Sequence, residues 1–557
     1  MRFVLIALFL SPFSLIAVDD DLKLIKRLQQ HIEFLAHDSL EGRATGSKGE
    51  ALAYKYIIKE FTEIGLLPKG DGDSYLSDFE FTAGRVYGKD DLLKINDITL
   101  KVDSDYFLIM HSGNGIVSGE LVDVGFGISA PKAGHDDYKG KTDLQGKIFL
   151  MELSSPDGIH PHSKYADHSD IRTKLNLAKE KGAAAVLIIN TDDDLRDPVI
   201  DFSIRITPTD IPAAFIHAVA WDKLKDKKKW QVELVVDMKK VKKTGHNVAG
   251  YLDNGAENTI VIGAHYDHLG YGSHQNSLHH GPEAVHNGAD DNASGTAAVI
   301  ELARKIKTEN IRSNNYLFLA FSGEEMGLYG SKSFVKEPSI ELARINYMIN
   351  YDMVGRLDPT QQKIMINGAG TSELWKEALE NLKVKGIEIK TGESGLGPSD
   401  HTSFYLENIP VLHFFTGTHS DYHKPSDDAD KINYDGIVSV MKVTLDVIGQ
   451  LDSKGKLNFI KTKDADNKNA PRFTVTLGIL PDYMFDGAGM KIDGVSEGKP
   501  ASKAGIQKND IVIKMGDIEV VDMMSYMKAL GKFKRGETTK VQIRRNEEIL
   551  ELDVTFQ

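Results

Sequence analysis

The spacing of apolar positions changes several times along the chain. Residues 21–66 repeat at helical intervals, in LKLIKRLQQHIEFLAHD and again in EALAYKYIIKEFTEIGL, and the polar stretch LEGRATG (40–46) interrupts them. From about Gly113 the apolar runs shorten to strand length: GIVSGELVDVGFG, KIFLMEL, AAVLIIN, IPAAFIH and WQVELVVDM. One helical stretch, IRTKLNLAKEKGA, lies among them, so residues 113–240 are expected to form a strand-rich module. From Asn247 to Ile448 strand-like runs alternate with helical ones, the pattern of a mostly parallel α/β sheet sandwiched by helices. A polar stretch, KTKDADNKNAP, then reads as a linker, placed at 456–470, ahead of a last domain at 471–557. The expected organisation is one domain split into 22–112 and 241–455, with 113–240 inserted into it.

Length and composition narrow this picture. At about 150 residues per domain, 557 residues predict three or four domains. Hydrophobic residues at 41%, charged residues at 27% and a mean hydropathy of -0.28 exclude a disordered chain and a polytopic membrane protein. The net charge of -14 argues against a nucleic-acid partner, since phosphate neutralisation needs the opposite sign. That charge lies upstream of 471–557, where 13 acidic side chains meet 13 basic ones. The chain has no cysteine, so any metal must be held by His, Asp and Glu. Met1-Arg2 followed by FVLIALFLSPFSLIA and then acids reads as a signal peptide over residues 1–17. It is short of the roughly 20 apolar residues of a membrane span, so a periplasmic or extracellular protein with no span after cleavage is expected.

Four strand-like runs of the middle region end on residues that bind metal or move protons. TIVIGA (259–264) leads into His265-Tyr266-Asp267-His268, and YLFLAF (316–321) leads through Ser322-Gly323 into Glu324-Glu325. INYMINY (345–351) ends at Asp352, and IPVLHFF (409–415) is followed by a loop carrying Tyr422-His423. In open α/β sheets ligands bind beyond the carboxyl ends of the strands, so these side chains are expected to share one crevice. A fifth element, GADDNASG (288–295), opens a helix whose apolar face falls at Val299, Leu302, Ala303 and Ile306. Singly, each feature has a plainer explanation, such as an N-cap or acids complementing a helix dipole. Together, two histidines and three carboxylates on successive strand ends are what a pair of hydrolytic metal ions requires.

The ordered motifs GAHYDH, GADDNASG, FSGEE, NYDMVG and YHKPSDD resemble the co-catalytic di-zinc exopeptidase family. That family includes bacterial leucyl aminopeptidases, glutamate carboxypeptidase and the transferrin receptor. LEGRATGSKG (40–49) and SDHTSF (399–404) also resemble its bacterial members, and the likeness covers about 22–450. The resemblance implies two Zn2+ ions: His265 and Asp352 on one, Glu325 and His423 on the other, and Asp291 bridging both. It implies Glu324 as general base, Asp267 as the carboxylate that orients the His265 ring, and Tyr422 as a phenol steadying the tetrahedral intermediate. It also implies a cis peptide between Asp291 and Asn292. Asp400 and His401 are then expected behind the ligands or in the substrate pocket. His268, His274, His279, His280 and His286, crowded into a glycine-rich segment, read as loop or pocket-lining histidines.

Residues 113–240 lie where many relatives insert a protease-associated domain, and their strand and helix order is similar to it. Residues 471–557 resemble a PDZ domain: GVSEGKPASKAGIQKNDIVIKMGD (494–517) is similar to its central block, and Leu477, Gly478 and Ile479 to its carboxylate-binding loop. That loop implies a C-terminal peptide as ligand. The reading that results is an exported zinc aminopeptidase acting on peptide substrates. A carboxypeptidase or aminoacyl-amide hydrolase is the alternative enzyme, with Arg356 as the cation for a substrate carboxylate. A non-enzymatic receptor or scaffold on the same frame would be expected to lack ligands, and the full set is present.

Overall fold

The structure is a computed structural model. It describes residues 12–557 apart from 160–162, 193–194, 196, 198–207, 226–228, 273–275, 280, 310, 463–474, 482–487, 496–498, 522 and 557. Most of the expected leader, His274, His280 and the second half of the linker lie outside the described residues. The chain packs as two compact units, one made of 1–81, 244–470 and 480–496, the other of 82–243, 471–479 and 497–557.

The first unit is built on a nine-stranded sheet. Its strands are Leu67–Pro68, Leu76–Val86, β1 (Lys239–Leu252), β2 (Thr259–His265), β3 (Asn315–Phe321), β4 (Ile345–Tyr351), β5 (Lys363–Asn367), β6 (Glu388–Gly392) and β7 (Val411–Phe415). From Leu67–Pro68 the order is β1, β3, β2, β4, β7, β5, β6. The four central strands β3, β2, β4 and β7 are mutually parallel, while β1 and β5 join them antiparallel. Successive strand residues face opposite sides of a sheet, and the packing follows that period. Ile260, Ile262, Tyr316, Phe318, Tyr347 and Ile349 enter one core, and Val261, Leu317, Leu319, Phe321 and Met348 enter another.

The first of these cores receives α1 (Pro12–Leu35), α2 (Lys48–Ile64), α3 (Gly295–Thr308) and, further on, the long helix Tyr434–Leu451. Val299, Leu302, Ala303 and Ile306 of α3 are all buried, as their spacing predicts. The second core takes Phe334 from α4 (Tyr329–Lys336) and Phe404 and Tyr405 from α5 (His401–Leu406). This is the expected mixed sheet between helices. Parallel central strands place His265, Ser322 and Asp352 at one end of the sheet, each at or just past a strand's C-terminus. Among the described residues no helix is long and apolar enough to cross a membrane.

The second unit holds an eight-stranded sheet, in which Gly115–Asp123, Ile148–Glu152, Ala185–Ile189 and Ala213–Ile216 run parallel. Ile171–Glu180, N-capped by the Asp170 side chain, buries Leu175 and Ala178 in the core beside it. The sheet reaches further back than the expected start at 113, because Leu92–Ile95, Ile98–Leu100 and Tyr106–Leu108 also belong to it. Strands of three or four residues carry too little alternation to register as a pattern. In the C-terminal part of this unit, Ile511–Met515 pairs antiparallel with Thr538–Arg545, which pairs with Glu548–Thr555.

Candidate metal centre

The strand ends bring five predicted side chains and one further histidine into contact. His265, Asp291 and Asp352 present donor atoms within 4.8 Å of one another, and so do His268, Asp291 and Glu325. Asp291 belongs to both groups. Its Oδ1 lies 3.5 Å from His265 Nε2, and its Oδ2 lies 3.2 Å from His423 Nε2. His265 Nε2 is also 3.3 Å from Asp352 Oδ1, and His423 Nε2 is 3.4 Å from Glu325 Oε2. Asp291 thus turns Oδ1 to His265 and Oδ2 to His423.

Local backbone structure holds Asp291 in that position. Gly288 adopts φ +54, and a Cβ there would lie 2.0 Å from the Asp291 carbonyl oxygen, so the turn requires glycine. The peptide between Asp291 and Asn292 is cis. The Asp290 and Asp291 N–H groups both donate to Asp427 Oδ2, at 3.0 and 3.1 Å. Asn292 donates to the Tyr351 carbonyl and accepts from the Met353 N–H, clamping this turn to the Asp352 loop.

The tautomers decide what the centre can hold. His423 Nδ1 lies 2.8 Å from the Asn276 carbonyl and His265 Nδ1 3.2 Å from the Asp267 carbonyl. Each carbonyl accepts a hydrogen bond from Nδ1–H, which turns Nε2 towards the carboxylates. The positive charge those carboxylates call for is met there by a proton or by a metal ion. The protonation balance points the same way. Burial disfavours charge on His265, yet Asp352 and Glu324 lift its pKa well above the imidazole range; Glu325 does the same for His423. Burial, with Asp352, Glu325 and Asp400 adding to it, pushes Glu324 well up, and His265 only partly opposes this. Burial also raises Asp267 to about 7. Glu325, despite its burial, is held well below the carboxylate range by His423 and His268. A pocket this rich in carboxylate recruits protons onto imidazole unless a metal supplies the charge, and the nitrogen and oxygen donors suit zinc.

The remaining predicted residues fall around this core. Glu324 belongs to neither donor group; its Oε2 is 4.0 Å from His265 Nε2. The Asp267 carboxylate lies 3.7 Å from His265 Nδ1, further than its own carbonyl, and accepts instead from the Glu324 N–H and the Thr45 hydroxyl. Tyr422 stacks on His423, with ring centroids 3.8 Å apart, and packs against the apolar group Met353, Met365 and Phe415. Asp400 and His401 are fully buried, and the His401 ring stacks on His413. Arg356 is engaged with Asp421. Of the crowded histidines, His286 is tied to Ala284 and Ser277 within its loop. His268 is part of the centre: it is buried, with Nδ1 2.8 Å from Glu325 Oε1 and 3.9 Å from Asp291 Oδ1. By sequence it is grouped with the loop histidines that follow, although it stands in the HYDH run at the end of β2.

Comparison with known proteins fits this geometry. The profile of Peptidase family M28 matches residues 247–448, that of the PA domain 117–224, and that of the PDZ domain 460–556. The chain is 32% identical over 190 residues to leupeptin-inactivating enzyme 1 of Streptomyces exfoliatus, covering 34% of this chain and 39% of that protein. It is 25% identical over 415 residues to an aminopeptidase of Pseudomonas aeruginosa, covering 71% and 70% of the two chains. Among solved structures, BSAP, a zinc aminopeptidase from Bacillus subtilis, aligns at 20% identity and a TM-score of 0.45, over 79% of this chain and 97% of its own. Residues 247–448 thus belong to peptidase family M28, in a chain that also carries a PA domain and a PDZ domain.

Proposed function

We propose that the chain is a di-zinc aminopeptidase that releases N-terminal residues from peptides. The observation that carries this reading is the Asp291 carboxylate, shared between two donor groups beside a Glu324 that joins neither. His265, Asp291 and Asp352 would hold one ion. Asp291 and Glu325 would hold the other with His423, which the family resemblance implies and whose Nε2 lies 3.2 and 3.4 Å from those carboxylates. His268, the imidazole of the second donor group, is bonded to Glu325. Two zinc ions, when bound, supply Lewis acidity and bring the pKa of a water down towards neutrality. Glu324 takes the proton of the attacking water and passes it to the leaving amine, a role its raised pKa suits. Tyr422, stacked beside His423, would supply the phenol that donates to the developing oxyanion. Met353, Met365 and Phe415 form the apolar group against which Tyr422 packs.

The carboxypeptidase alternative needs a cation for the substrate's terminal carboxylate. Arg356 is its candidate, and Arg356 lies 3.4 Å from Asp421 Oδ2, which supports cleavage from the amino end. Aminoacyl-nitroanilides and N-blocked peptides, assayed with and without chelator, separate the two. The expected result is chelator-sensitive cleavage of the free aminoacyl substrates alone; cleavage of only the blocked peptides would overturn the reading. The basic and then apolar start of the chain supports export, testable by the N-terminal sequence of protein recovered from the periplasm or medium. In the PDZ domain, Gly478 at φ +73 and the Leu477 carbonyl bonded to Ala501 support a turn suited to a peptide carboxylate.

A further inference from the structure

The segment 43–50, which the reading above leaves without a role, reaches under the loop that carries the base. The Thr45 hydroxyl donates to Asp267 Oδ2 at 3.0 Å, and the other oxygen of that carboxylate accepts the Glu324 N–H at 3.2 Å. Ser322, two residues before Glu324, donates to Glu50 Oε1 at 2.6 Å, and its oxygen lies 3.2 Å from Thr45 Oγ1. Each hydroxyl has a single proton to give. With the Thr45 proton on Asp267 and the Ser322 proton on Glu50, each hydroxyl spends its one proton tying segment 43–50 to the turn. Glu50 is anchored in turn by the Gly46 N–H at 2.8 Å and the His246 N–H at 3.1 Å. All four side chains are buried: Thr45 6%, Glu50 1%, Asp267 0% and Ser322 0% exposed.

We propose that Thr45, Ser322 and Glu50 are positioning residues for Glu324, a strut from the N-terminal segment that fixes the Ser322-Gly323-Glu324 turn against Asp267. The proposal rests on the peptidase reading, with Glu324 as base. Without the strut, the turn keeps the bond from the Ser322 N–H to Asn247 Oδ1 and those from the Tyr329, Gly327 and Leu328 N–H groups to its carbonyls. It loses its side-chain tie to segment 43–50, and Gly323 at φ +73 leaves it freedom to shift. A base displaced by about 1 Å loses on the order of a hundredfold in rate while the substrate still binds. None of the three residues contacts a donor atom of the metal groups, so their loss should leave metal content intact.

The test uses the zinc-loaded full chain and an aminoacyl-nitroanilide. Thr45→Val, nearly isosteric, and Ser322→Ala should each lower kcat by roughly ten- to a hundredfold with KM and zinc content unchanged. Thr45→Ser, which keeps the hydroxyl, should recover most of the rate. In a Glu324→Gln background, Thr45→Val should cost nothing further, because there is no base left to place. Should Thr45→Val not fold, Ser322→Ala carries the same test. Unchanged kcat in a folded, zinc-replete variant, or a loss of kcat that follows loss of zinc, overturns the proposal while the peptidase reading stands. An inactive wild-type chain is the failure of that reading, and the proposal falls with it.

Discussion

Arg43 and Lys174 are both buried cations whose hydrogen bonds end on backbone carbonyls, one in each unit of the molecule. Lys174 Nζ donates to the carbonyls of Glu152, Leu153 and Ser154, three consecutive residues at the end of one strand. Burial brings its pKa down to about 8, with Asp137, Glu152 and Asp170 opposing. It closes off the end of a strand and has no further reach. Arg43 donates to the carbonyls of Leu35, Tyr266, Asn287 and Gly288, which come from three separate stretches of chain. Burial lowers its pKa to about 10, and Asp267, Asp291, Asp427 and Glu325 pull it back up. A buried charge whose partners are local backbone stabilises a fold. One that ties together the loops on either side of an anionic cluster also sets a reaction centre's geometry and charge balance.

That contrast predicts where substitutions change chemistry and where they change only stability. The largest effect belongs to the centre: Glu324→Gln should lower kcat by about 10²–10⁴-fold with metal content unchanged, read by steady-state kinetics beside elemental analysis. Substantial turnover in the metal-replete variant would remove Glu324 from its role. Next comes Lys174→Met, which strands three buried carbonyls. It should cost about 2 kcal/mol in denaturant unfolding of the second unit, with kcat on a small nitroanilide unchanged per folded molecule. A large fall in kcat with stability intact would erase the distinction between the two cations.

The smallest effect lies in the first unit but away from the centre. Glu301 on α3 is buried and accepts from Arg27 at 2.8 Å, His31 at 3.1 Å and Arg304 at 3.1 Å. Burial would raise its pKa, but His31 and Arg27 carry it below the model-compound 4.5. A carboxylate with a depressed folded pKa stabilises above its unfolded value and loses that contribution as pH falls through the folded one. Acid unfolding followed by circular dichroism should therefore show a shallower loss of stability below about pH 4.5 in Glu301→Gln than in the wild type. Identical acid limbs would mean Glu301 gains nothing from its partners.

Much of this was legible in the sequence, for physical reasons that differ by element. The central strands announced themselves because they are buried on both faces and read as unbroken apolar runs, and each run ended on its chemical residue. α3 was legible from its period. The strands at 92–108 were not, since they are too short to alternate. His268 was hidden among neighbouring histidines, although its place one residue after Asp267 in HYDH was the available signal. The engagement of Arg356 with Asp421, and the reach of Thr45 to Asp267 across 222 residues, are tertiary facts with no local trace. The Asp267 carboxylate has a neighbour that its position in the sequence does not announce: besides the His265 ring at 3.7 Å, it accepts the Glu324 N–H at 3.2 Å.

The central claim is that Asp291 joins two donor groups into one centre. Zinc titration of the chelator-stripped full chain, followed by calorimetry and elemental analysis, tests it most directly. Two equivalents should bind the wild type, activity should require both, and Asp291→Asn should bind fewer than two and lose activity. Saturation of the wild type at one equivalent with full activity, or two equivalents retained in Asp291→Asn, would contradict the account.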